Sequence, residues 1–384
     1  FLTQLEAALA QGELCLLYQP KVDMHAGAVI GAEALICWNH PERGMVPPGE
    51  FLPLLEGSAL EIQIGEWVID TALAQMDAWR AAGLDLPVSV NIAPPHLAHI
   101  DFAERLKELL DRHPDTPFNR LELEVLESVA LDDIEHVSRL IRACRRIGVA
   151  FALDDFGTGY SSLTYLKRLP ADLIKIDQSF VRDMLGDPED MAIVEGVIGL
   201  AEAFHIRVIA EGVETVEHGL TLIHLGCFLG QGYGIARPMP AQDMPAWVEA
   251  WRPDPSWQQA SAVRSRDAAV LLGAEMDHRI WIGELQACLA DDAPEGTQFP
   301  PMDTHLCRFG RWHHGSGRLR YGGIAEFQAL DSLHQRIHAV GEEIGILYHA
   351  GRNSEARAHL AELTALRDEL VAQLHVLAKA INTR

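Results

Sequence analysis

Cationic side chains are scarce in this chain: 31 Lys and Arg stand against 55 Asp and Glu in 384 residues, for a formal net charge of −24. Binding to polyanions depends on a basic surface, so the deficit argues against a nucleic-acid polymer or an anionic bilayer as partner. An anionic small substrate would need cations gathered locally. Long apolar runs are also missing. The best candidate, 191–210, is interrupted by Glu195, Glu202, His205 and Arg207, so no membrane span is expected. The six cysteines (Cys15, Cys37, Cys144, Cys227, Cys288 and Cys307) include no C-x-x-C pair and follow no signal peptide, which suits a reducing cytoplasm. The chain does not open on Met; Phe1 suggests a fragment whose upstream domains are missing.

What is present is ordinary globular composition, 48% hydrophobic and 22% charged, in a chain long enough for a barrel-sized domain plus a smaller one. From residue 14 to 251, short β-rich runs alternate with longer amphipathic ones, the pattern of a βα fold with a largely parallel sheet. Strands are expected near 14–19, 29–37, 87–92, 121–126, 150–154, 173–176, 207–210 and 228–232. Helices are expected at 64–82, 96–111, 132–147, 191–204 and 216–225. Eight strands suggest a closed barrel. Their C-terminal ends, where barrel active sites form, carry Asn91, Glu124, Asp154, Lys175, Glu211 and Gln231, each after a run that should be buried.

The stretch FALDDFGTGYSSL at 151–163 organises this region. A buried run ends in Asp154 and Asp155, and Gly157 and Gly159 then break the strand. Two carboxylates about 4 Å apart repel by roughly 4 kcal/mol at an effective dielectric near 20, so the pair asks for a cation or a shared proton. Asp154 can face inward, but Asp155 joins it only if the backbone turns there. With Glu33, Asn91 and Glu124 the pair makes an oxygen-rich set suited to Mg²⁺ or Mn²⁺.

Glu33-Ala34-Leu35, Asn91, LELEVLES at 121–128, DDFGTGYSSL at 154–163, KID at 175–177, AEGVET at 210–215 and QGY at 231–233 resemble the EAL-domain cyclic-di-GMP phosphodiesterases. The resemblance implies an α/β fold, a modified (β/α)₈ TIM-like barrel with one antiparallel strand over residues 1–251, and hydrolysis of cyclic-di-GMP to linear pGpG. It implies two ions, Mg²⁺ or Mn²⁺: one on Glu33, Asn91, Glu124 and Asp154, the second on Asp154, Asp155 and Glu211. Lys175 would position or activate the attacking water, Glu127 would hold the loop that carries Asp155, and Gln231 would help order the site. Gln19 and Leu35 would contact substrate. Three residues depart from the family pattern. Cys37 stands where an Arg usually meets a substrate phosphate, Leu126 where Thr is common, and Phe228 where Asp is common. The rival expectation is a domain that binds cyclic-di-GMP or a protein without hydrolysing it.

Beyond Trp251, Pro253 and Pro255 lie among polar residues, so 252–267 reads as a connector. The remainder, 268–384, is expected to be an all-α helical bundle with long helices at 268–289, 324–347 and 353–382. His334 and His338, at i and i+4, share one helix face. With His278 and Cys307 they give three nitrogens and one thiolate, a set suited to tetrahedral Zn²⁺. His305, His313 and His314 are competing ligands by sequence. DHRIW at 277–281 and CRFGRW at 307–312 resemble the chemoreceptor zinc-binding domain, which favours the first four residues. A homodimer is expected, with zinc as a sensory element or a structural staple.

Overall fold

The computed structural model describes residues 2–127, 134–158, 166, 168–260, 266–290 and 307–382. The chain divides into two compact units, residues 1–223 with 227–260 and residues 261–384 with 224–226.

In the first unit α1 (Leu2–Gln11) leads into β1 (Leu14–Asp23), β2 (Ala28–His40) and β3 (Gly44–Val46). There follow α2 (Ala59–Ala81), β4 (Val88–Asn91), α3 (Phe102–Asp111), β5 (Leu121–Leu126), α4 (Ile134–Ile147), β6 (Ala150–Phe156) and β7 (Leu173–Ile176). The unit continues with α5 (Pro188–Phe204), β8 (Arg207–Ala210), α6 (Val216–Leu225), β9 (Leu229–Gly230) and β10 (Met239–Pro240). Sheet order is β10-β1-β9-β8-β7-β6-β5-β4-β2-β3, and the extra pairing of β1 with β2 closes eight strands into a barrel. β2 and β4 to β9 run parallel to one another; β1 runs antiparallel to both β2 and β9. The expected modified barrel with one reversed strand is the fold.

Local chemistry fixes the elements. In α4 the buried Val137, Ile141 and Cys144 recur at three- and four-residue spacing and give the helix one core-facing stripe. Asp187 caps α5 by accepting the Glu189 N–H, Pro188 occupies the first turn, and His205 ends the helix in the left-handed conformation at φ 56°. Inside the barrel Ala152, Leu173 and Ile209, with Leu229 against them, form an apolar layer. Each lies two residues before Asp154, Lys175, Glu211 or Gln231. Because strand side chains alternate, that apolar layer supports a polar layer at the strand ends.

Several boundaries differ from expectation. The helix expected over 96–111 is broken into Pro94–Leu97 and Phe102–Asp111, and the last strand shrinks to Leu229–Gly230. Short β3 and β10 attach to β2 and β1 and fall outside the expected strands, being two or three residues without a readable period. The expected connector at 252–267 begins as part of the barrel unit, with a short helix at Pro255–Gln259. Trp257 is buried there and donates its indole N–H to the Val216 carbonyl at 2.8 Å.

His96 illustrates a cost accepted by this core. It is buried against Phe102 and lies so near α2 that a Cβ on Gly65 would approach its Nδ1 to 2.3 Å. Burial lowers its pKa from 6.5 to about 4. Between those values the unfolded chain binds the proton and the fold does not, so stability falls as pH drops through that window. The full difference is about 3 kcal/mol. His96→Gln should remove this part of the acid sensitivity of barrel unfolding in urea; an identical pH dependence in both proteins would assign it elsewhere.

The second unit contains α7 (Arg266–Cys288), α8 (Arg308–Trp312), α9 (Ala325–His349) and α10 (Leu360–Asn382). The helix expected over 353–382 is divided at His359 into Asn353–Ala358 and α10. Leu271, Ile282, Phe309, Leu330, Ile337 and Leu370 belong to one core shared by these helices. On α9 the buried residues Phe327, Leu330, His334, Ile337, His338 and Ile344 recur at helical spacing, so two imidazoles occupy core positions.

Candidate active site and metal centre

At the C-terminal ends of the barrel strands, Lys175 of β7 is 1% exposed and stands among four carboxylates. Its Nζ lies 2.5 Å from Glu124 Oε2, 2.7 Å from Glu211 Oε1, 3.2 Å from Asp154 Oδ1 and 3.3 Å from Glu33 Oε2. Asn91 Nδ2 donates to Glu33 Oε1 at 2.7 Å, and Gln231 Nε2 donates to Glu33 Oε2 at 2.7 Å and to Gln19 Oε1 at 3.0 Å. Gln19 is itself tied to the Ala236 carbonyl through Nε2 at 3.0 Å. A Cβ on Gly232 would meet the Val213 backbone nitrogen at 2.3 Å, so glycine lets the chain pass closely there just after Gln231. Leu35 lines an adjoining cavity of about 300 Å³ with Asn91, Glu124, Ile64, Val68 and Leu126.

The acid pair meets in an unexpected way. Asp155 remains within β6 but takes φ 53°, and the pairing of β6 with β7 shifts register between Leu153 and Phe156. The backbone therefore turns at Asp155 itself, a conformation Asp tolerates better than most residues. This turn gathers ligand atoms of Asp154, Asp155 and Glu211 within 4.8 Å of one another. Glu127, 1% exposed, accepts the Gly157 N–H at 3.0 Å and so grips the segment after the turn. Residues 159–163 of the glycine-containing motif lie outside the described residues.

Lys21 completes the group, though nothing in the sequence reading singles it out. It is buried, and its Nζ reaches Glu124 Oε1 at 2.6 Å and Glu122 Oε1 at 2.9 Å. Its signal is period two: on β1 it shares a face with Gln19. Five carboxyl groups (Glu33, Glu122, Glu124, Asp154 and Glu211) thus face two ammonium groups, with Asp155 beside Asp154 and Glu211 and with Arg207 3.8 Å from Glu122. Burial raises the Glu211 pKa to about 8, opposed by Lys175 and reinforced by Asp154 and Glu33. Burial and then the Asp154 charge raise Asp155 to about 6. Burial alone would raise Glu124, but Lys175 and Lys21 hold it below the usual carboxylate range. Those same carboxylates hold Lys175 protonated against its own burial. A buried excess of hard oxygen donors fits divalent cations of the Mg²⁺ class.

In the second unit ligand atoms of His278, Cys307, His334 and His338 all lie within 4.8 Å of one another. His278 donates Nδ1–H to the Ala274 carbonyl at 2.6 Å, which turns the Nε2 lone pair into the group; that Nε2 is buried and makes no hydrogen bond among the described residues. Cys307 Sγ is 3.2 Å from His334 Nε2 and accepts the Gly310 N–H at 3.2 Å, capping α8. Burial lowers His278 to about 4 and, with the neighbouring imidazoles, His334 to about 2, so both rings are neutral donors at neutral pH. Three imidazoles and one sulfur fit tetrahedral zinc, with the Ala274 carbonyl fixing one ligand's tautomer. The competing histidines do not join this group: His313 turns Nε2 to the Phe327 carbonyl at 3.1 Å and lies with His314 beside Asp331. His305 lies outside the described residues.

The EAL domain model matches residues 2–238, and the chemoreceptor zinc-binding domain model matches residues 278–344. The chain is 43% identical over 248 residues to the bifunctional diguanylate cyclase/cyclic di-GMP phosphodiesterase MucR of Pseudomonas aeruginosa, an alignment covering 64% of this chain and 36% of that protein. It is 37% identical over 249 residues to the cyclic di-GMP phosphodiesterase PdeR of Escherichia coli, covering 65% and 37%. The chain thus spans under half the length of these relatives. The solved PaMucR phosphodiesterase in its c-di-GMP complex superposes with a TM-score of 0.61 at 42% identity, covering 63% of this chain and 98% of that one.

Proposed function

Because this chain belongs to the EAL-domain family, we propose that its barrel hydrolyses cyclic-di-GMP to linear pGpG with two divalent ions, Mg²⁺ or Mn²⁺. The observation that carries this reading is the ring of buried carboxylates around Lys175 at the strand ends. Relatives of this barrel are named as cyclic di-GMP phosphodiesterases, and the related PaMucR structure is a c-di-GMP complex.

Glu33, Asn91, Glu124 and Asp154 would hold one ion, and Asp154, Asp155 and Glu211 the other. The bound ions would supply charge to polarise a phosphoryl oxygen and to acidify water. Lys175, set among the carboxylates that would hold the ions, would add positive charge near the attacked phosphorus and position or activate the attacking water. Gln231 and Asn91 orient Glu33 through both its oxygens, while Glu127 holds the turn that brings Asp155 to Glu211. The cavity beside Leu35 has apolar walls and Asn91 at its edge, a shape and chemistry suited to part of the nucleotide. The test is to incubate the purified chain with cyclic-di-GMP and Mg²⁺ or Mn²⁺ and identify nucleotide products. Linear pGpG that disappears with chelation supports hydrolysis; bound but unchanged substrate would make the domain a binding module instead.

Cys37 bears on affinity. It is buried on β2 opposite Cys15 of β1, and burial pushes its thiol up to about 11, so it brings no charge to a phosphate. Cys37→Arg should lower KM for cyclic-di-GMP roughly tenfold, the worth of one charge-assisted hydrogen bond. An unchanged or higher KM would mean that other groups already hold that phosphate.

The proposal extends to zinc on His278, Cys307, His334 and His338 modulating a homodimeric enzyme. Bound zinc would join α7, the Cys307 cap of α8 and α9 through these four residues. Hydrolysis rates with Mg²⁺ fixed, compared between zinc-loaded and zinc-stripped chain alongside light scattering, read this out. Equal rates would leave zinc as a structural staple.

A further inference from the structure

Next to the four-residue zinc group lies a second cluster that the proposed function does not use. His313 follows α8 directly, in a wide π-type turn over 313–317 in which Gly315 leaves helical geometry. Turns of this kind displace side chains from the helical repeat and recur at functional sites. His313 is 5% exposed and stacks on Phe327 with ring centroids 4.2 Å apart and planes 8° apart. Its Nε2 donates to the Phe327 carbonyl, so the lone pair is on Nδ1. That Nδ1 is buried, makes no hydrogen bond among the described residues, and faces Asp331 Oδ1 at 3.8 Å; this oxygen is likewise buried and without a hydrogen bond among them. His314 Nε2 reaches the same oxygen at 3.9 Å.

Such distances are too long for hydrogen bonds, and leaving a buried nitrogen and a buried carboxylate oxygen facing one another unsatisfied is costly. Each is also a metal donor. Zn–N and Zn–O bonds of about 2.0–2.2 Å at a tetrahedral centre put donors roughly 3.4 Å apart, so a closure of about half an ångström would bring each imidazole into range of Asp331, and all three ligand atoms lie within 4.8 Å of one another. The Phe327 carbonyl plays the part of the outer partner that fixes a ligating imidazole's tautomer and orientation. We propose that His313, His314 and Asp331 form a second metal site in this unit, taking a borderline divalent ion such as Zn²⁺ with water in the open position.

The two sites would differ in character. The four-residue site has a complete protein shell that includes sulfur. The His₂Asp site has no sulfur, and the Asp331 and His314 side chains are 42% and 33% exposed, so its ion can exchange with solvent. Phe309 touches a histidine of each group, His313 at 5.1 Å and His334 at 4.8 Å between ring centroids, which keeps the sites adjacent but chemically separate.

The probes are Zn²⁺ and its spectroscopic substitute Co²⁺, titrated into the full chain with excess Mg²⁺ present to fill the oxygen-rich barrel site. The wild type should bind one more equivalent than Asp331→Asn or His314→Gln, or bind that equivalent at least roughly tenfold more tightly. The thiolate-to-cobalt charge-transfer band, which reports Cys307, should be the same in all three. Both substitutions are at partly exposed side chains, and far-ultraviolet dichroism checks that helices are intact. Equal stoichiometry and affinity in wild type and both variants would overturn the proposal. So would loss of the thiolate band together with the extra equivalent, since the histidines would then serve the Cys307 site.

Discussion

Asp154→Asn should lower cyclic-di-GMP hydrolysis at least roughly a thousandfold while leaving the barrel folded. The expected loss corresponds to about 4 kcal/mol of transition-state stabilisation, the scale on which a bound cation polarises a phosphoryl oxygen. Asp154 is the one residue common to both proposed ion sites. It is 8% exposed, lies 3.2 Å from Lys175, and accepts the Asp155 N–H through Oδ1 at 3.0 Å. Asparagine keeps the volume and an oxygen for that N–H, so the turn at Asp155 survives. What disappears is the negative charge shared by the two ions. Turnover within a few-fold of wild type, measured with saturating Mn²⁺, would rule out the two-ion assignment.

Lys175→Met should have the largest effect on stability. The substitution preserves an unbranched apolar stem but removes the cation from Glu33, Glu124, Asp154 and Glu211. Breaking a buried ion pair by deleting one partner costs about 3–5 kcal/mol. Part of that should be recovered when the remaining carboxylates take up protons or Mn²⁺. The expected result is a large drop in the urea midpoint of metal-free barrel unfolding, substantial rescue by Mn²⁺, and no rescue of hydrolysis. Rescue of both stability and turnover by Mn²⁺ would reduce Lys175 to a structural counter-charge. No loss of stability would mean that the carboxylates are already neutral without it.

The architecture is legible because most of the barrel strands are short runs of apolar residues ending in one polar residue of the right kind. LIK at 173–175 and VIAE at 208–211 each place an apolar side chain on the interior face two residues before the functional one. Period two does the rest. It also contains Lys21, which escapes notice because a lysine in a strand reads as an edge or surface residue until its partners Glu122 and Glu124 are known. The turn at Asp155 is visible only as a requirement that the two acids converge; its location in the strand depends on a register shift that no single strand encodes. Around Cys307, sequence proximity makes His313 and His314 rivals to His334 and His338. Helix geometry decides otherwise: positions 334 and 338 share the buried face of α9, while the turn after α8 directs His313 to Phe327 and Asp331.

The reversed direction of β1 carries a constraint on how this barrel can vary. Along β2 and β4 to β9, each step toward the C-terminus climbs toward the site, so the loops beyond the strands can lengthen without disturbing what lies below. Along β1 the same step descends: Gln19 is level with Glu33, and Lys21 with Gly31. A two-residue insertion before Gln19 would keep every inward side chain pointing inward yet move the amide and the ammonium to different depths, exchanging a neutral hydrogen bond for an ion pair in the wrong layer. β1 should therefore accept changes of outward-facing residues but almost none of length, whereas insertions accumulate in the loops above the parallel strands.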